Sequence, residues 1–515
     1  MRALIFIFFL LFSGSISAQV KTYWSTPFER EISNPEFEKI LFPIEDSVSF
    51  VVTGRRSTLL NDEEYYLATI NLFTLEKRPT IKLPLDFLRS KEKDIVDFVT
   101  VGNTICAFYT QFNRSDDKSF LMVSQYDKKG RPIRENIKID SLQIYSSSRR
   151  GNFYIHPDPQ HSSFLVLPVE PFEKAGNQKI RYTIYNQELK VEASRNFDLP
   201  FKAREVEIDQ IEVGEDHNAY FLIKITDLFK RWSPGAPNFK YIMIESLADH
   251  VEIKEYEFDL NPKSISDIAF RLDSNRLKVF GLYSDNGRAS QESSGFFFIT
   301  IDPENRIILN TSLSAYPEDL ALNYISENQY EKGREPEELR VKDILSFKDG
   351  KTAVVLEQFV YREICNTDMR TGIITCTENY YYNDLSIVFL NASGALTSFN
   401  IIPKAQFSSD IHSNQLSFFT LQNPENMWVL FNDHPRNELQ LEQRFEKVKS
   451  FQHGDDGEFV AYSLKATNFE GEKVFHGVDR LESVNTRNAK KISDKIYLVF
   501  GEERRAIRFG IVKLE

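Results

Sequence analysis

Eight times along this 515-residue chain, two apolar β runs follow one another across a polar loop. A tight turn rich in Gly, Asp or Asn then leads into an alternating segment. The second runs cover 65–71, 120–126, 180–185, 241–245, 295–301, 385–390, 459–463 and 507–512. Their first partners cover 48–53, 104–109, 164–167, 219–225, 277–283, 353–358, 427–431 and 496–500. No other feature restricts the fold as much. One continuous core rarely extends beyond about 250–300 residues, so a chain of this length either divides into domains or repeats a unit. Such a unit cannot bury its apolar faces alone and must stack on neighbours. The residue types agree, because 43 Phe and 22 Tyr favour pleated, half-buried surfaces. The expected class is all-β.

Strands at these intervals, with turns such as Asp127-Lys-Lys-Gly130, Asp302-Pro-Glu-Asn305 and Asn391-Ala-Ser-Gly394, resemble the β-propeller superfamily, in which four-stranded sheets are set around an axis. The resemblance is architectural and covers nearly everything after residue 18. There is no WD dipeptide pattern, no kelch double glycine and no Ser-x-Asp-x-Gly-x-Thr-Trp box. It implies a single propeller of about eight four-stranded blades. At about 62 residues per unit, the blades exceed the roughly 40–50 of a minimal one. A seven-bladed ring and two separate β domains are the alternatives. The last unit ends at its third strand, while an unassigned β-like segment starts at Lys21. The resemblance implies that this N-terminal strand completes the last blade and closes the ring, which removes exposed sheet edges.

Met1-Arg2, an apolar run over 3–12 and small residues up to Ala18 form the pattern of a secretory signal peptide. Cleavage is expected after Ala18, leaving a domain over 19–515. The run is too short for a bilayer, which takes about 20 residues, and no later stretch reads as a membrane span. No cysteine stands at the cleavage region, so no lipid anchor is expected. The expected location is periplasmic or extracellular. A net charge of −12 argues against broad nucleic-acid binding, which depends on neutralising phosphates. Cys106 lies in an apolar run and reads as a core residue. Cys365 and Cys376 flank two strand-like arms around Gly372. They are expected to pair as a disulfide in an oxidising compartment, closing a small loop worth about 2–3 kcal/mol.

With strands labelled a to d outward, the b–c and d–a connections of a propeller emerge on one face. The long excursions are of these kinds: 227–239, 361–383 and 432–458 between b and c, and 316–340, with room for a short helix, between d and a. Long loops on a rigid scaffold are where function concentrates. Candidate binding residues are Arg231 and Trp232 in the first, Arg370, Tyr380, Tyr381 and Tyr382 in the second, and His434 and Arg436 in the third. Exposed aromatics and Arg are enriched at binding hot spots. The plainer alternative is that these side chains pack their own loops down.

Catalytic signals are sparse. His156 and His161 straddle prolines and read as a turn, and Asp455-Asp456 lacks the alternating ligands of a calcium loop. No zinc spacing, nucleophile elbow, P-loop or dinucleotide fingerprint occurs, so no cofactor, metal or catalytic residue is assigned. The expectation is a non-enzymatic binding or scaffold protein whose long-loop face docks an envelope or extracellular protein or glycan. The alternative is a carbohydrate-active enzyme, a glycoside hydrolase or lyase, with carboxylates converging at the central funnel. The oligomeric state is left open.

Overall fold

The computed structural model describes residues 20–26, 28–29, 35–55, 63–85, 93–113, 115–144, 151–171, 176–226, 239–248, 250, 252–273, 276–286, 291–347, 350–367, 370, 373–410, 413–437, 448–452, 457–465, 471–475, 483–503 and 506–514. Among them the strands form eight sheets. Each predicted run lies in one of the two middle strands of a sheet. These strands read as continuous apolar runs because both their faces are covered. Phe50 and Val52 pack towards the last sheet, while Val51 and Leu67 pack towards the second.

The same alternation continues round the chain. Separate buried clusters join the second sheet to the third, the third to the fourth, the fourth to the fifth and the fifth to the sixth. Others join the sixth to the seventh and the seventh to the eighth. A last cluster returns from Leu498, Phe500 and Phe509 to Ile40, Val48 and Phe50 of the first sheet. The stacking is therefore cyclic, and the chain is a β-propeller. Its N-terminal strand Val20–Trp24 pairs antiparallel with Ala506–Leu514, from Val20↔Leu514 to Trp24↔Gly510. The first and last segments of the chain thus share one sheet, as the resemblance implies.

The inner strands are Pro35–Ile40, Lys93–Val101, Asn152–Pro157, Val206–Val213, Ser264–Asp273, Leu339–Ser346 and Phe419–Gln422, with Ser483–Val484 and Lys490–Ser493 in the last sheet. Five of them lose register against their neighbours near one point, at Phe37/Lys39, Ile95/Asp97, Ile208/Gln210, Ile265/Asp267 and Val341/Asp343. Such bulges bend a strand and re-aim its side chains.

Two of the excursions are more regular than loops. Segment 361–383 is a β-ribbon: Thr352–Thr367 and Ile374–Leu390 run on past their sheet, paired Tyr361↔Tyr380 through Thr367↔Ile374. Its β-branched and aromatic residues keep the strand conformation on both sides of the turn. Segment 316–340 holds two short helices, Glu318–Leu322 and Glu327–Glu331, the second started by a Ser326/Gln329 capping box. Of 432–458, Phe451–Gln452 forms a short strand, while 438–447 and 453–456, with Asp455 and Asp456, lie outside the described residues. So does 227–238. No helix among the described residues is long and apolar enough to cross a membrane.

Candidate functional site

Three excursions meet on one side of the ring. The ribbon edge Asn379–Tyr382 pairs with Gln406–Ser409, and that strand takes Phe451–Gln452 in parallel. Beneath them Tyr382, Leu416 and Phe451 form a small core with Phe359 and Tyr380 against it. The helical connection reaches the same place, where Phe359 N donates to Glu338 O at 2.9 Å. A buried ion pair anchors this base. Lys404 Nζ donates to Glu357 Oε1 at 2.9 Å, to Tyr382 O at 3.0 Å and to Gln406 Oε1 at 3.1 Å. Both charged side chains are inaccessible to solvent.

Above its base the ribbon stands in solvent. One face carries Tyr361 and Tyr380, Glu363 and Glu378, and the Cys365–Cys376 disulfide. The Tyr361 and Tyr380 rings lie 5.3 Å apart, and both hydroxyls donate to Glu378, at 3.2 and 2.5 Å. That hydrogen bond pushes the Tyr380 phenol up to about 12. Exposed apolar side chains gather here too: Tyr361, Ile364, Ile373 and Ile374, the last 65% exposed.

The candidate residues fall into distinct settings. Tyr380 and Tyr381 are half-buried, with Tyr381 against Phe407, whereas Tyr382 is buried against Phe359. Arg370 is exposed at the ribbon turn. His434 belongs to a turn in which its Nδ1 accepts from Arg436 N at 3.0 Å, and Arg436 is exposed. Arg231 and Trp232 lie outside the described residues. Among these residues, one group of three potential metal ligands has its ligand atoms within 4.8 Å: Glu363, Cys365 and Cys376. Its sulfurs are bonded to each other and offer no thiolate. His156 and His161 flank a turn closed by Asp158. There the His161 ring stacks on Phe42 at 4.1 Å, and burial pushes it down to about 4.

A second feature lies on the inner strands. A cavity of about 770 Å³ is lined by Val206–Val213, Ser264–Asp273 and Leu339–Ser346, with Phe359 and Pro159. It brings Asp209, Glu212, Asp267 and Asp343 beside Arg271, Arg340 and Lys342. Burial raises Glu212 to about 7 and Asp267 to about 6. Burial and then Glu207 raise Asp209. Several of these groups stitch one inner strand to the next. Gln210 both donates to Phe270 O and accepts from its N, Glu212 Oε2 accepts from Leu272 N at 2.8 Å, and Asp267 Oδ2 accepts from Val341 N at 2.6 Å. Arg271 donates to Ile344 O at 2.8 Å and to Asp343 at 3.3 Å. Inner strands too splayed to pair directly thus satisfy their edges through side chains.

None of these cavity residues stands out in the sequence, where 75 acidic residues offer no basis for choice. One weak signal exists. A polar residue followed by Phe or Ile marks the bulge in Asp97-Phe98, Gln210-Ile211, Asp267-Ile268 and Asp343-Ile344.

No family model and no curated protein matches the chain. Among solved structures it is similar to the WD40 domain of SCAP from fission yeast, with a TM-score of 0.39, 10% identity, and 96% of this chain and 98% of that one covered. It is similar to the polysaccharide lyase Uly1, with a TM-score of 0.39, 9% identity, and 81% and 89% covered. It is also similar to the β-propeller domain of the Trilobed protease from Pyrococcus furiosus, with a TM-score of 0.36, 11% identity, and 87% and 97% covered. These likenesses concern architecture alone.

Proposed function

We propose that this chain is an exported, non-enzymatic binding or scaffold protein that docks a partner protein of the envelope or extracellular space on its ribbon-bearing face. One observation carries the reading: backbone pairing from separate excursions is spent on holding up a ribbon that leaves Tyr361, Ile364 and Ile374 exposed to solvent. The Cys365–Cys376 crosslink pre-organises that end, which lowers the entropic cost of binding. It also suits an oxidising compartment, in keeping with the signal-like N-terminus. The test is a crosslinking pull-down from the source envelope, comparing wild type with a variant in which 364–377 is replaced by Asn-Gly. That cut spares Tyr382 and the pairing with Gln406–Ser409, so the melting transition should stay unchanged. A partner captured by wild type and lost by the variant supports the reading; equal capture by both refutes it.

A glycan-processing reading draws on Glu212 and Asp267, two carboxylates of raised pKa in one cavity. Against it, each accepts a backbone N–H from the neighbouring strand, which is a structural duty. Polysaccharide turnover abolished by both Glu212→Gln and Asp267→Asn would replace the first reading with this one.

A further inference from the structure

The outer strand of each sheet presents an unpaired backbone edge, which proteins ordinarily protect by shortness, charge, proline or bulges. Most outer strands here comply. Ile81–Lys82 has two residues, and Lys254–Glu257 reads Lys-Glu-Tyr-Glu. Pro132–Gln143 carries four charged residues and three breaks in register, and Val191–Lys202 four charges and Pro200. The uncharged Leu396–Ile402 is mostly half-buried.

Ile307–Ala315 departs from this pattern in length, charge and exposure, and has a single break in register, at Leu309. Its nine residues, Ile-Ile-Leu-Asn-Thr-Ser-Leu-Ser-Ala, include no charge, proline or glycine. Among the described residues it pairs only with Gly295–Asp302. Ile307 is 50% exposed, Leu309 44% and Leu313 49%. The strand is held in place from its other face, where Asn310 donates to Ser393 O and Ser312 to Gly394 O in the next sheet. A fixed, uncharged edge flanked by exposed apolar side chains is a ready template for strand addition.

The composition of the edge points to its occupant. In a molecule of net charge −12, an edge without charge is matched by one equally free of it, and the order of its residues is self-complementary. We propose that a second copy of this chain docks here, the two Ile307–Ala315 strands pairing antiparallel about a two-fold axis at Thr311. That register sets Leu309 opposite Leu313 and Ile307 opposite Ala315, each pair occurring twice, with Thr311 opposite itself. Apolar residues meet apolar ones, and no like charges are opposed. The fifth sheets of two rings become one continuous sheet, on the rim and independent of the ribbon.

Sedimentation of the full chain over about a hundredfold range of concentration tests this. The mass should double for wild type and remain monomeric for Leu313→Lys, whose exposed site leaves the melting transition unchanged. Because the two copies carry like net charge, the dimer fraction should rise with salt. On mild oxidation Thr311→Cys should become a covalent dimer, whereas Phe73→Cys, at a site 84% exposed elsewhere, should not. A wild type that is monomeric throughout, a dimer that survives Leu313→Lys, or a Thr311→Cys protein that crosslinks no better than Phe73→Cys overturns the proposal. Saturable binding of an uncharged peptide by a wild type that never dimerises would assign the edge to a foreign strand instead.

Discussion

Replacing Lys404 by Met removes one charge from a site with no access to solvent. The ammonium is held by Glu357 at 2.9 Å, by the Tyr382 carbonyl at 3.0 Å and by Gln406 at 3.1 Å. Burial lowers its pKa, and Glu357 opposes that shift. Without it, the Glu357 carboxylate keeps Ser417 Oγ at 2.9 Å and Lys342 at 3.6 Å. Breaking a buried pair from one side costs about 3–5 kcal/mol. Lys342 offsets part of that, so the lower end, about 3 kcal/mol, is expected. With an unfolding entropy of about 2.1 cal/mol/K per residue, a chain of this size loses about 3 °C of Tm if it unfolds as one unit. Calorimetry at neutral pH measures it. Adding Glu357→Leu to Lys404→Met removes the stranded carboxylate and should recover part of the loss. A Lys404→Met protein melting within about 1 °C of wild type, or a double variant less stable than the single one, would refute the reasoning.

Two further outcomes follow from the inner strands and the ring closure. Glu212, raised by burial to about 7, keeps a proton in the folded state that the unfolded chain loses above its ordinary carboxylate value. Its contribution is therefore full at low pH and is lost as pH rises through 7. Glu212→Gln should gain stability relative to wild type between about pH 5 and pH 8 in denaturant titrations, and a flat difference would contradict this. The comparison must be a difference, because His161, pushed down to about 4, acts in the opposite sense at acid pH. At the closure, a Cβ on Gly510 would lie 2.7 Å from the Trp24 ring. Gly510→Ala should cost about 1–3 kcal/mol in urea unfolding, and Trp24→Ala in the same chain should relieve part of it. No relief would mean that the strand shifts without cost.

The architecture was legible because the middle strands are buried on both faces, so that 277–283 or 353–358 reads as an uninterrupted apolar run wherever it occurs. The closing strand was legible from the unfinished last unit and the spare segment at Lys21. The Cys365–Cys376 bond was legible because its partners stand 11 positions apart across a turn that local residue types specify. Segment 361–383 shows strand-like arms around its turn, but their continuity with the two middle strands of the sheet is hidden, because residues half exposed as a ribbon lack the apolar run of a buried strand. The inner strands were obscure for a related reason. Leu339–Ser346 reads Leu-Arg-Val-Lys-Asp-Ile-Leu-Ser, and its Arg340, Lys342 and Asp343 are explained only by the cavity that they line.

What the sequence determined by itself was the repeat, the strand class and the closure, all properties of short windows and of their number. What only the tertiary structure decided was the company each polar residue keeps. Asp267 meets Val341 across 74 positions and Lys404 meets Glu357 across 47. The first pair is made by one sheet stacking on the next, and the second by the chain returning beside its own sheet between Leu396–Ile402 and Gln406–Ser409; no local preference of any of these residues encodes them.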